Sequence, residues 1–290
     1  MIELLMHKLK SGIPYYQRTA AREISFRSYE NDDNRIIFAK AGAIPLLTDL
    51  LTEADSRTQE QAVAALFHLS FSEENTVSIV WSGALPGIVQ VLKEGGLEAR
   101  ENAAGTILNL SLKKENRDVI GIVGAVPILV ELVKERQGCI VIHKTVINIL
   151  SSFSSSREAR VAICKAEVVR ILVEAIGTGY TLEEPQSEIL ELATYFLVTL
   201  SLYPEGNVAV GEAEVVPFLV EVIGSGSSES KKNAAEVLVN LGSRDQKYLV
   251  EAQEHGVIGK LMDMLQHGIS SEKRRARDLL RLMPLVRLLL

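Results

Sequence analysis

Along EARENAAGTILNLSL (98–112) the apolar residues recur at helical spacing, which predicts an amphipathic α-helix. Two shorter helices precede it. One lies near Glu74–Val80 and ends at Gly83; the next has Pro86 in its first turn and runs to about Leu92, before Gly95 and Gly96 stop it. Glycine supplies the left-handed residue that closes a helix, and proline fits a first turn because its missing N–H has no intrahelical partner there. The predicted unit is a short helix, a sharp corner, a second helix, a turn and a longer third helix.

The corner returns along the chain. AGAIPLL (41–47) is followed by GALP (83–86), GAVP (124–127), EVVR (167–170), EVVP (214–217) and GVIG (256–259), at spacings of 41, 41, 43, 47 and 42 residues. IELLMHKL (2–9) matches AIPLLTDL (43–50) one period earlier, so residue 1 falls inside a unit already under way. About seven units result, at 1–31, 32–72, 73–113, 114–155, 156–202, 203–244 and 245–290, the first lacking its opening helix. A period of about 40–47 residues built from two or three helices is the signature of HEAT and armadillo arrays, and the short helix with a glycine corner favours armadillo. Such units cannot bury their apolar faces alone. The expected fold is an all-α, right-handed superhelical solenoid over 1–290, with the third helices lining one concave surface.

Composition supports this reading. Of 290 residues, 47% are hydrophobic and 23% charged, too apolar for disorder, while aromatic residues are only 5%, which suits helices packed by small and branched side chains. The net charge of −6 argues against nucleic acid as a partner. Two cysteines make no disulfide framework, so a reducing compartment is expected. No apolar run approaches the roughly 18 residues of a membrane span. In MIELLMHKLK the lysines follow the apolar residues, the reverse of a signal peptide. A cytoplasmic or nuclear location is expected.

The repeats carry a more specific likeness. ARENAAGTILNLSLKKENRDVIGIVGAVPILVELV (99–133), DDNRIIFAKAGAIPLLTDLL (32–51), RTQEQAVAALFHLS (57–70) and the closing NAAEVLVNL and YLVEAQEHGVIGKLMDML resemble the armadillo repeats of plant U-box E3 ubiquitin ligases, over essentially the whole chain. The resemblance implies a module that recognises substrates or regulators in its groove. The ubiquitin-conjugating enzyme would be recruited by a U-box, which these 290 residues do not contain, so the chain is expected to bind protein and to transfer nothing itself. The alternative is a free-standing armadillo scaffold in signalling or transport.

In armadillo proteins an Asn near the end of each third helix faces the groove and hydrogen-bonds an extended peptide; an amide offers a donor and an acceptor together. The resemblance places this slot at His68, Asn109, Ile149, Thr199 and Asn240, with Asn148 one residue off register. Counting back four and eight residues reaches the same face. That adds Ala64 and Glu60, Gly105 and Glu101, Thr145 and Val141, Tyr195 and Glu191, and Glu236 and Lys232; Asn102 and Asn233 flank it. Importin-α-type receptors carry Trp four residues before the Asn. This chain has none there, which argues against a nuclear-localisation-signal receptor. Glu60, Glu101, Glu191 and Glu236 tilt the groove toward basic or hydrogen-bonding partners, against the alternative of merely solvated faces.

Other features read as structural. No phosphate loop, Gly-x-Ser-x-Gly elbow or His-Glu-x-x-His stretch is present, and no cofactor or metal is expected. Cys139, His143 and Cys164 are read as packing residues rather than metal ligands, and Trp81 as an inter-repeat packing residue. The serine tracts at 151–157 and 224–230 are read as turns, and the 177–187 insertion as a longer acidic loop. The basic tail from 271 is read as the final third helix, in preference to a lipid contact or a nuclear signal.

Overall fold

The computed structural model describes residues 1–122, 125–134, 140–177 and 186–283. Gly124, Cys139, most of the 177–187 insertion and the last seven residues lie outside the described residues. Among the described residues there are twenty helices and no strand. The chain divides into two compact units, Met1–Leu132 with Gly138–Ala159, and Val133–Gln137 with Arg160–Leu290.

In the first unit, α1 (Ile2–Leu9) and α2 (Pro14–Glu30) precede three triplets. These are α3 (Asp32–Lys40), α4 (Ala43–Leu50) and α5 (Ser56–Leu69); α6 (Glu73–Trp81), α7 (Leu85–Glu94) and α8 (Leu97–Ser111); and α9 (Lys114–Ile122), α10 (Ala125–Lys134) and α11 (Ile140–Phe153). The long helices α2, α5, α8 and α11 pack side by side in that order. Next come α12 (Arg157–Lys165), α13 (Val168–Gly177) and α14 (Gln186–Ser201), then α15 (Pro204–Glu212), α16 (Val216–Ser225) and α17 (Ser228–Gly242), then α18 (Lys247–Glu254), α19 (Val257–His267) and α20 (Ser270–Leu282). In the second unit α14, α17 and α20 pack in succession. Leu47, Leu50, Leu66, Leu69, Ile88 and Leu92 form part of the core of the first unit, and Phe196, Leu200, Leu219, Leu238 and Leu241 part of that of the second.

The corners are left-handed, as the glycine–proline pattern requires. Gly42, Gly83 and Gly256 have φ of 85°, 79° and 77°, and Glu167 and Glu214 occupy the same place at 52° and 53°. A side chain in that conformation costs roughly 1–2 kcal/mol, so those two corners are held by their surroundings rather than by local preference.

A second recurring device ties the short helices α3, α6, α9 and α15 each to the long helix before it. Asn75 in α6 is 3% exposed and donates through Nδ2 to Leu69 O at 2.9 Å and to Arg35 O at 3.0 Å. Asn34 donates to Arg27 O at 3.0 Å, and Asn116 to Leu110 O at 3.0 Å. Asn207 donates to Ser201 O at 3.2 Å and Asn240 O at 3.0 Å. Arg35 and Arg117 add Nε donation, each at 2.7 Å, to Ser28 O and Ser111 O. The last carbonyls of a helix have no intrahelical donor, and the next short helix supplies one. Arg160 stands seven residues before Glu167, as Asn207 stands seven before Glu214. Its guanidinium lies 3.9 Å over the Tyr203 ring and 3.6 Å from the Glu205 carboxylate.

Candidate functional site

Because the long helices pack in parallel rows, their outward lines of residues form one surface in each unit. In the first unit, α5 contributes Glu60, Ala64 and His68, and α8 contributes Glu101, Gly105 and Asn109, with Asn102 beside them. His68 Nδ1 is 2.8 Å from Ser25 Oγ, and its ring lies 5.3 Å from Tyr29 and 5.8 Å from Phe71. Burial pushes its imidazole below the ordinary histidine value and Arg35 adds to the effect, so His68 is neutral at pH 7. Gly105 leaves room for the ring of Phe67: a Cβ there would stand 2.4 Å from Phe67 Cε2. Beside these residues Ser25, Glu60, Gln61, His68, Glu98 and Asn102 border a polar recess of about 380 Å³.

Asn109 does not present its whole amide to a partner. Its Nδ2 donates to Ser70 Oγ at 2.9 Å, across to the preceding long helix, while its Oδ1 has no hydrogen bond among the described residues. Ser152 Oγ donates to Ser111 Oγ at 2.9 Å in the next row. In α11 the proposed slot Ile149 is fully buried, and the half-buried Asn148 takes the outward line with Val141 and Thr145. Asn148 follows Val141 by seven residues, about 700° or nearly two full turns, and so shares its face. Ile149 is therefore replaced by Asn148 as the outward-facing amide.

The second unit repeats the device. Asn240 Nδ2 donates to Ser201 Oγ at 2.9 Å, and its Oδ1 has no hydrogen bond among the described residues. Tyr195 is 51% exposed. Thr199 Oγ1 turns back to Phe196 O at 2.8 Å, and Asn233 is buried, donating to Thr194 Oγ1 at 3.4 Å. Glu191 accepts from Ser227 Oγ at 2.6 Å, Lys232 pairs with Glu229 at 2.5 Å, and Glu236 pairs with Arg275 at 2.5 Å. Glu236 is thus neutralised, which weakens the acidic tilt expected from four glutamates. The serines at 70, 111 and 201 are buried beneath this surface, where they accept from Asn109, Ser152 and Asn240, and were missed in the sequence. Their signal is the recurring His-Leu-Ser, Asn-Leu-Ser and Thr-Leu-Ser, two residues after each slot.

Three other expectations can be placed. His143 is buried with Nε2 3.0 Å from Leu132 O. Cys164 is half-buried, burial pushes its thiol above the ordinary value, and its Sγ donates to Glu205 O at 3.7 Å. Trp81 is 84% exposed, which overturns its reading as a packing residue. Ile79, two residues earlier, takes the buried position, and the indole at the end of α6 points to solvent.

The family model "Plant U-box protein ARM repeat region" matches residues 2–287. Among curated proteins, U-box domain-containing protein 13 of Arabidopsis thaliana is 53% identical over 72 residues, which is 25% of this chain and 11% of that protein. E3 ubiquitin-protein ligase SPL11 of Oryza sativa subsp. japonica is 49% identical over 73 residues, 25% of this chain and 10% of that protein. The matched segment thus spans only about a tenth of these relatives. Among solved structures, an engineered protein (structural-genomics target OR497) superposes with a TM-score of 0.82 at 26% identity, covering 97% of this chain and 68% of that one. A computationally designed armadillo repeat protein for modular peptide recognition superposes at 0.58 with 18% identity, covering 97% and 99%.

Proposed function

Since the chain belongs to the plant U-box protein ARM repeat family, we propose that it is the recognition part of a U-box E3 ubiquitin ligase, which binds a protein substrate or regulator and leaves ubiquitin transfer to a U-box. The observation that carries this is the pair of amides Asn109 and Asn240. Each commits one of its two N–H donors to a serine of the neighbouring row and keeps the second N–H and the carbonyl oxygen for the backbone of an extended partner. Holding a substrate close to a ubiquitin-loaded enzyme raises its effective concentration without any chemistry in the repeats.

The test is affinity capture from plant extract with the wild-type chain and the Asn109→Ala/Asn240→Ala variant, followed by binding measurements on the purified proteins. Partners lost in the variant while helicity and melting are retained support the reading. Identical sets of partners remove these amides from recognition.

A further inference from the structure

A second surface lies among the short helices. Trp81, the sole tryptophan, stands at its edge. Val77 and Val80 of α6, Leu112 just after α8, and Val119 of α9 complete the apolar lining of a recess of about 860 Å³. Leu112 is 66% exposed. Trp81, 84% exposed, leaves most of the roughly 150–250 Å² of an aromatic side chain in water beside Leu112, and the two together form an apolar cluster where a single exposed apolar residue would need no explanation.

The same area says what does not cover it. A stable homodimer buries about 800 Å² per partner, well above what this patch offers. The rim charges cancel: Glu73 lies 3.4 Å from Lys113, and Lys114 and Glu115, of opposite sign, make no ion pair among the described residues. A rim with no net charge has nothing to draw an anionic membrane or a nucleic acid. An extended peptide would leave backbone groups unpaired against an apolar wall. Even the buried amide of Asn116 is already spent on Leu110 O. A helix satisfies its own backbone, and α6 and α9, nine residues each, form walls about 13.5 Å long, room for two to three helical turns.

We infer that this recess receives a short amphipathic helix of a partner protein, with two large apolar side chains one turn apart seated between Trp81 and Leu112, and residues of either charge meeting Lys114 and Glu115. This goes beyond the role proposed for the long-helix surface and uses neither of its amides, although Leu112 also borders a recess beside Asn109.

The experiment is a selection on the full chain from a display library of peptides about 12 residues long, enough for three turns. Trp81 fluorescence serves as the direct readout. Expected are enriched peptides with apolar residues at i and i+3 or i+4, a blue shift of Trp81 emission on titration, and about tenfold weaker binding of labelled peptide to Trp81→Ser and Leu112→Ser. Both side chains are exposed, so the variants should fold, and circular dichroism checks that they do. Asn109→Ala/Asn240→Ala should bind the same peptides unchanged. The inference is overturned if no peptide is enriched, if enriched peptides alternate apolar residues with period two, if binding survives both serine variants, or if Trp81 emission shifts with protein concentration alone, the sign of a second copy.

Discussion

Changing Asn75 to Asp keeps the shape of the side chain and reverses its chemistry. In the native protein one NH2 group serves Leu69 O at 2.9 Å and Arg35 O at 3.0 Å inside a site only 3% exposed. A hydrogen bond contributes about 0.5–1.5 kcal/mol net, and a buried carbonyl left without its donor costs about 1–3 kcal/mol. Leu69 O also accepts from Ser72 N at 3.3 Å, so its loss is partial. Truncation to Ala should therefore cost about 2–3 kcal/mol. Aspartate should cost more, because a carboxylate oxygen would face two carbonyl oxygens where water cannot screen them. Urea unfolding followed at 222 nm gives the order wild type, Ala, Asp, and hydrogen exchange should show the C-terminal turn of α5 opening first, since repeat proteins unfold by neighbouring units. An aspartate variant within about 0.5 kcal/mol of wild type would refute the reasoning, because that is the range of ordinary surface substitutions.

Two further outcomes follow from the corners and from His68. Glu167→Gly and Glu214→Gly should each stabilise by about 0.5–1 kcal/mol in thermal melts, since relief of the left-handed cost outweighs the added freedom of the unfolded glycine. For His68, burial holds the folded value below that of an ordinary histidine, so the unfolded chain binds the extra proton. Its contribution is fully present above about pH 6.5 and is lost as pH falls through the folded value; denaturant melts between pH 7.5 and 5 should show this slope, and His68→Gln should flatten it.

The repeat was legible because its determinants are local. A glycine that stops a helix and a proline that opens the next act within four residues, and the spacing led to Glu167 and Glu214 although neither is glycine. What failed depended on partners far along the chain. Asn34, Asn75 and Asn116 recur every 41 residues and bond carbonyls only six or seven residues back, but the second partner of Asn75, Arg35 O, comes from 40 positions away. The outward amide of α11 was misplaced by one residue because the resemblance that set the slots cannot tell which of two neighbouring positions the preceding row covers. Trp81 misled for a related reason: a bulky apolar residue near a corner suits the core, but Ile79 already fills that place.

The asparagine caps bear on how such arrays can be cut and joined. The long helices α2, α5, α8 and α14 take donors for their terminal carbonyls from the short helix that opens the following repeat, so the unit of sequence and the unit of stability are out of phase there by one short helix. A fragment ending at Ser111 would strand the carbonyls that Asn116 and Arg117 now satisfy, whereas one extended through Ile122 would carry its own closure. Recombined or shortened versions of this chain should therefore be joined after a short helix rather than before it.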